Sequence, residues 1–186
     1  MTSSRIPVKA AIAAVFSALI AASAFFPIPV PGSPVPVSLQ NLFVMLAALL
    51  LGPVWGSAAV ALYLGMGALG LPVFSGGNGG LARFAAPTGG FLLGFLAAAP
   101  VAGFIGGNGK RKPWRSGLAS IAAVLVIYAV GLPLLRRAIH DEGWMKTLSL
   151  GFFPYIGWDA LKAVVAAGVA QTLGPWLEER LSERED

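Results

Sequence analysis

No cysteine occurs in this chain, which excludes disulfides, thiolate metal ligands and thiol nucleophiles and leaves the redox compartment unread. The single histidine, His140, stands beside Asp141 and Glu142. In a connecting loop it is expected to be solvated, because a metal would need further ligands. The same scarcity rules out a Ser/His/Asp triad. No Gly-x-x-x-x-Gly-Lys-Ser/Thr run is present, so ATP hydrolysis through a phosphate loop is excluded. Charge is scarcer still: between Lys9 and Lys110 only Arg83 carries one. Water-exposed surface cannot be built from so long an uncharged stretch. A lipid-facing surface demands one, since Asp, Lys and Arg at the bilayer centre cost roughly 2.5–3.5 kcal/mol each.

What fills the chain is apolar: 56% hydrophobic residues and a mean hydropathy of +0.77. At about 20 residues per crossing, 186 residues allow roughly six spans and no separate soluble domain. The expected fold is all-α, an integral membrane bundle of six transmembrane helices with structured outer loops. Residues 1–186 form a single domain, and 178–186 a solvated, charged tail. The expected helices run from about Ile6 to Phe26, Ser38 to Leu51, Val54 to Leu71, Gly90 to Ile105, Ser116 to Leu135 and Gly151 to Trp176. Gly52-Pro53 is read as a tight turn between the second and third. Helix one begins like a signal peptide, with Ala22-Ser23-Ala24 at its end, but is expected to be retained.

A net charge of +5 invites a nucleic-acid reading, yet the basic residues cluster at helix ends and in one loop. They read as orientation signals. With Arg5 and Lys9 inside, six crossings put Lys110, Arg111, Lys112 and Arg115 inside too, and both termini in the cytoplasm. Arg136-Arg137 is the misfit, falling on the outer side.

This topology gathers the Pro-rich segment 27–36, the Gly-rich segment 76–90 and the start of the last helix on the outer face. Irregular backbone at membrane depth is tolerated where it lines a cavity. Gly77, Gly79 and Gly89 let the chain approach a ligand closely, and Asn78 offers both donor and acceptor. Asp159 and Lys162, at i and i+3, share one face of an otherwise uncharged helix with Tyr155. Intramembrane charges of this kind mark a site or pair with one another. Arg83 adds a planar donor fork suited to a carboxylate. Binding, not catalysis, is the function that these residues can serve. On helix one, Ala10, Ala14, Ala18 and Ala22 form a small-residue ridge. It serves either internal packing or a partner subunit.

The order Pro34-Val35-Pro36-Val37-Ser38-Leu39-Gln40, Leu49-Leu50-Leu51-Gly52-Pro53 and Gly70-Leu71-Pro72-Val73-Phe74 resembles the BioY family. Gly76-Gly77-Asn78-Gly79-Gly80, Pro87-Thr88-Gly89-Gly90-Phe91 and Asp159-x-x-Lys162-Ala163 continue the resemblance, which spans about Ala10 to Ala170. These are biotin-binding S components of energy-coupling factor transporters. The resemblance implies a plasma-membrane protein, bacterial or archaeal, that captures biotin at the outer face. It implies partners as well: a transmembrane coupling subunit, two cytoplasmic ATPases and membrane lipid, with no nucleic acid and no cofactor. Asn78, Asp159 and Lys162 would meet the polar groups of biotin, joined by Arg83 and Gln40. Phe74, Tyr155 and Trp158 would cover its apolar parts, and Ala10, Ala14 and Ala18 would dock the coupling subunit. One departure is Gly157-Trp158 ahead of Asp159, where the family pattern has Pro-Gly. Which cation meets the carboxylate stays open, as do another vitamin as ligand and a purely structural membrane role.

Overall fold

A computed structural model describes residues 5–106, 112–140 and 143–182. Six helices follow in order: α1 (Arg5–Ser23), α2 (Gln40–Ala68), α3 (Gly89–Gly106), α4 (Pro113–Ala138), α5 (Trp144–Gly151) and α6 (Ile156–Ser182), with one 3-10 turn at Leu81–Ala85. All but α5 are long and apolar enough to cross a membrane, and the chain is a multi-pass membrane protein. Among the described residues no strand forms beyond two isolated bridges, Ile28 with Val37 and Phe74 with Asn78.

Helix α2 folds back on itself at Gly52, where φ is 77° and ψ −175°. Only glycine adopts that backbone readily, and Pro53 adds a residue with no N–H to continue the helical ladder. The reversal is visible in its contacts. Gln40 Nε2 donates to Tyr63 OH at 2.5 Å, although an unbroken helix would hold them about 35 Å apart. Four residues either side of the turn, Gly56 lies against Ala48 so closely that a Cβ would stand 2.6 Å from Ala48 Cα. The expected turn at Gly52-Pro53 is therefore present as a helical hairpin.

The two arms of α2 occupy the centre, against α1, α3 and α6, while α3 packs on α4 and α4 on α6. Small residues set these approaches. Gly94 abuts the α4 backbone at Ile127, and Gly103 abuts Gly52-Pro53, as close helix packing in lipid demands. The outward faces carry Val15, Leu19, Val54, Leu62, Leu125, Val164 and other large apolar side chains, suited to lipid rather than water.

The chain departs from the expected boundaries mainly before α6. The last helix starts at Ile156, not Gly151, and the short α5 precedes it. α5 is amphipathic, burying Thr147 while exposing Trp144, Met145 and Lys146; the Arg136 guanidinium stacks over the Trp144 ring at 4.8 Å. Its period was hidden by Gly143, Gly151 and Pro154, which break the run. Beyond Trp176, α6 continues to Ser182, with Glu178, Glu179 and Arg180 exposed. The basic loop at Lys110 and Arg111 and the acidic pair Asp141 and Glu142 lie outside the described residues.

Candidate functional site

Three connecting segments meet at one end of the bundle, as the hydropathy pattern anticipates. The Pro-rich segment is closed by Ile28 and Val37, which exchange backbone bonds of 2.8 and 2.9 Å. The Gly-rich segment is tied to the end of α1, just before the Pro-rich segment, through Gly76 N, which donates to Ala24 O at 3.3 Å. Tyr155, immediately before α6, joins the Pro-rich segment to it: its hydroxyl donates to Val35 O and lies 2.8 Å from Ser33 Oγ, while Ser33 Oγ donates to Leu150 O at 2.5 Å. Burial raises the Tyr155 pKa above its ordinary value, so the hydroxyl remains a donor at neutral pH.

Beneath these segments lies a cavity of about 760 Å³, counting space open to solvent. Its floor is polar. Asp159 stands in the first turn of α6, where the positive end of the helix dipole favours a carboxylate, and is buried together with Lys162. Lys162 Nζ lies 2.9 Å from Asp159 Oδ1. Asn41 Nδ2 donates to the same oxygen at 2.7 Å, and Tyr128 OH to Oδ2 at 2.5 Å. Donors from both α2 and α4 thus converge with one from α6 itself on a single carboxylate. A buried ion pair adds little net stability, so a cluster this complete at a cavity floor points to ligand recognition.

The cavity mouth carries a second polar group. Arg83, in the 3-10 turn, donates through Nη2 to Asn78 Oδ1, and Asn78 Nδ2 donates to Ser75 O at 2.7 Å. Among the described residues Arg83 has no carboxylate partner. Between floor and mouth the walls are apolar and aromatic, including Val35, Phe74, Phe91, Leu92, Phe95 and Ile127. Phe74 is held edge-on by Tyr63 and Phe84, at 5.6 and 5.7 Å between centroids. A long pocket with apolar walls and polar ends fits a ligand with a hydrogen-bonding head and an acidic tail.

Of the residues singled out from sequence, Gln40, Phe74, Asn78, Arg83, Tyr155, Asp159 and Lys162 line this cavity. Four others do not. Gly77 (φ 72°) shapes the turn, and Gly79 and Gly89 sit so close to the backbones of Leu71 and Phe84 that a Cβ would overlap them. Trp158 is half exposed on the far side of α6, because the side chain one position before a buried residue points about 100° away. Sequence reasoning passed over Asn41 and Tyr128. Both are polar side chains in apolar helical runs, and that signal was legible. On α1, Ala10, Ala14 and Ala18 are exposed, while Ala13, Phe16, Ser17 and Ile20 face the core; the ridge is external.

Comparison with known proteins agrees with this architecture. Residues 1–179 match the model of the BioY family. A biotin transporter BioY of Thermotoga maritima is 42% identical over 162 residues, 87% of this chain and 92% of that protein. One from Rhodobacter capsulatus is 38% identical over 181 residues, 91% and 94% of the two chains. Among solved structures, the S-component for biotin from an ECF-type ABC transporter superposes with a TM-score of 0.83 at 28% identity, covering 93% of this chain and 94% of the other.

Proposed function

This chain belongs to the BioY family, and on that premise we propose that it is the biotin-binding membrane subunit of an uptake transporter. It is a transport component, not an enzyme. The carrying observation is the distribution of polarity in the cavity: a buried carboxylate with converging donors at the floor, and at the mouth an arginine that has no carboxylate partner among the described residues.

Biotin presents a cyclic urea at one end and a carboxylate at the other. The urea N–H groups donate to Asp159, and Lys162, which keeps further N–H donors beyond its bond to Asp159, reaches the urea carbonyl. Lys162 is already neutralised by Asp159 at 2.9 Å, so the tail carboxylate goes to Arg83, with Asn78 beside it. Phe74, Phe91 and Phe95 cover the thioether ring and aliphatic tail. Gln40 acts from behind, its amide held by Tyr63 OH and Ser38 Oγ.

Six crossings follow if each arm of α2 counts as one. Both termini then face the cytoplasm of a bacterial or archaeal cell, and the cavity opens outward. The Lys/Arg bias supports this orientation. The chain carries no phosphate loop, so import draws on partner ATPases through a transmembrane coupling subunit. The exposed ridge of Ala10, Ala14 and Ala18 is its docking face.

Equilibrium binding of labelled biotin to the purified chain, with Asp159→Asn alongside, tests the reading. Saturable binding that weakens by roughly 1.5–3 kcal/mol in the variant is expected, the worth of a hydrogen bond to a charged group. No binding to the folded wild-type chain, or equal affinity in the variant, overturns it.

A further inference from the structure

A second cavity opens directly outside the first, and nothing in the proposed binding mode fills it. It spans about 1050 Å³, counting space open to solvent, against about 760 Å³ for the inner one. The two are continuous: Ser75, Asn78, Arg83 and Thr88 line both. The outer walls are rich in proline, with Pro29, Pro34 and Pro87 among them. Proline fixes φ and offers no N–H, so such walls resist collapse onto themselves. The Ile28–Val37 bridge and the Tyr155 contact to Val35 hold the same segment from below.

The geometry points to a wider ligand class than the free vitamin: amide conjugates in which the tail carboxylate is extended by an amino acid. The inference rests on the biotin reading, with the urea at Asp159 and the tail end at Arg83. At that position the amide carbonyl of a conjugate stands where a carboxylate oxygen would. Arg83 can still donate to it, since a guanidinium has five N–H groups and one engages Asn78. The added chain then passes between Asn78 and Thr88 into the outer cavity, with its own carboxylate and ammonium toward water. Had the inner cavity been closed at Arg83, an extended tail would have met protein. Here it meets space.

The test is competition of biotinyl-ε-lysine, in which the lysine side-chain amine is acylated, against labelled biotin on the purified full chain. Displacement within about tenfold of the affinity of biotin itself is expected. Ala86 and Val30 line only the outer cavity, so Ala86→Phe should weaken the conjugate about fivefold or more while leaving biotin within about twofold. Val30→Phe does the same from the Pro-rich segment should Ala86→Phe fail to fold, which loss of the monodisperse peak in size-exclusion chromatography would reveal. A conjugate more than about tenfold weaker than biotin on the wild-type chain overturns the inference, as does an outer-cavity variant that weakens both ligands equally. Absence of biotin binding itself is a different result, and it overturns the underlying reading.

Discussion

At the scale of single residues, the floor cluster separates recognition from stability. Asp159 accepts from Asn41, Tyr128 and Lys162. Removing one partner leaves a charge buried and under-satisfied, a costly state. Replacing both charges by apolar groups of similar volume is often neutral for stability. The double variant Asp159→Leu/Lys162→Met, which also leaves the Asn41 amide and the Tyr128 hydroxyl without their acceptor, is therefore expected to melt less far below wild type in detergent than Asp159→Leu alone, and to lose saturable biotin binding. A wild-type affinity in that variant would show that the pair only neutralises itself. Tyr128→Phe removes one donor and leaves the ring edge-on to Phe152 at 4.9 Å. It should weaken biotin by about tenfold, the worth of one hydrogen bond to a carboxylate, and lower the melting temperature, because Asp159 Oδ2 loses its donor. Asn41 and Tyr128 were readable as polar residues in apolar helices. Their meeting at Asp159 was not readable, because Asn41 lies 118 residues and Tyr128 31 residues from it in the chain, and only packing brings the three helices together.

At the scale of elements, the hairpin at Gly52 governs how the site is assembled. It returns Tyr63 to Gln40 at the cavity end of the bundle and sets Asn41 opposite α6. A side chain at Gly52 would force an L-residue into φ 77°, ψ −175°, at about 1–3 kcal/mol. Gly52→Val should lower the melting temperature measurably and weaken biotin only through loss of folded protein, which binding normalised to active fraction will separate. The Gly-Pro pair and the short apolar runs around it made this turn legible in sequence. α5 was not legible: eight residues hold barely two turns of pattern, and Gly151 and Pro154 mark a break at Phe152 to Tyr155 whose geometry is held by contacts with the Pro-rich segment.

For the whole molecule, orientation and assembly are each read out by a single substitution. The chain has no native cysteine, so single cysteines report cleanly. Gly32→Cys, in the exposed Pro-rich segment, should react with a membrane-impermeant maleimide from outside intact cells, and Lys112→Cys only after permeabilisation. The reverse pattern would invert the proposed topology. On α1, Ala14 is exposed on the outward ridge, so Ala14→Trp should leave biotin affinity of the isolated chain within about twofold while abolishing co-purification with the coupling subunit. Loss of biotin binding in that variant would instead place the ridge inside the fold.

Membrane residence and the helical class were determined by the sequence alone, because a hundred residues with one charge can be solvated only by lipid. So was the identity of the intramembrane charges, since each ion stands out against an apolar background. The tertiary structure decided which polar groups meet. It brought Asn41 and Tyr128 to Asp159, turned Trp158 away, and put Arg83 at the mouth shared by two cavities. Periodicity gives a side chain its direction on a helix, but the rotation and depth of each helix follow from close packing at Gly56, Gly94 and Gly103. Those contacts join residues far apart in the chain, and no local pattern encodes them.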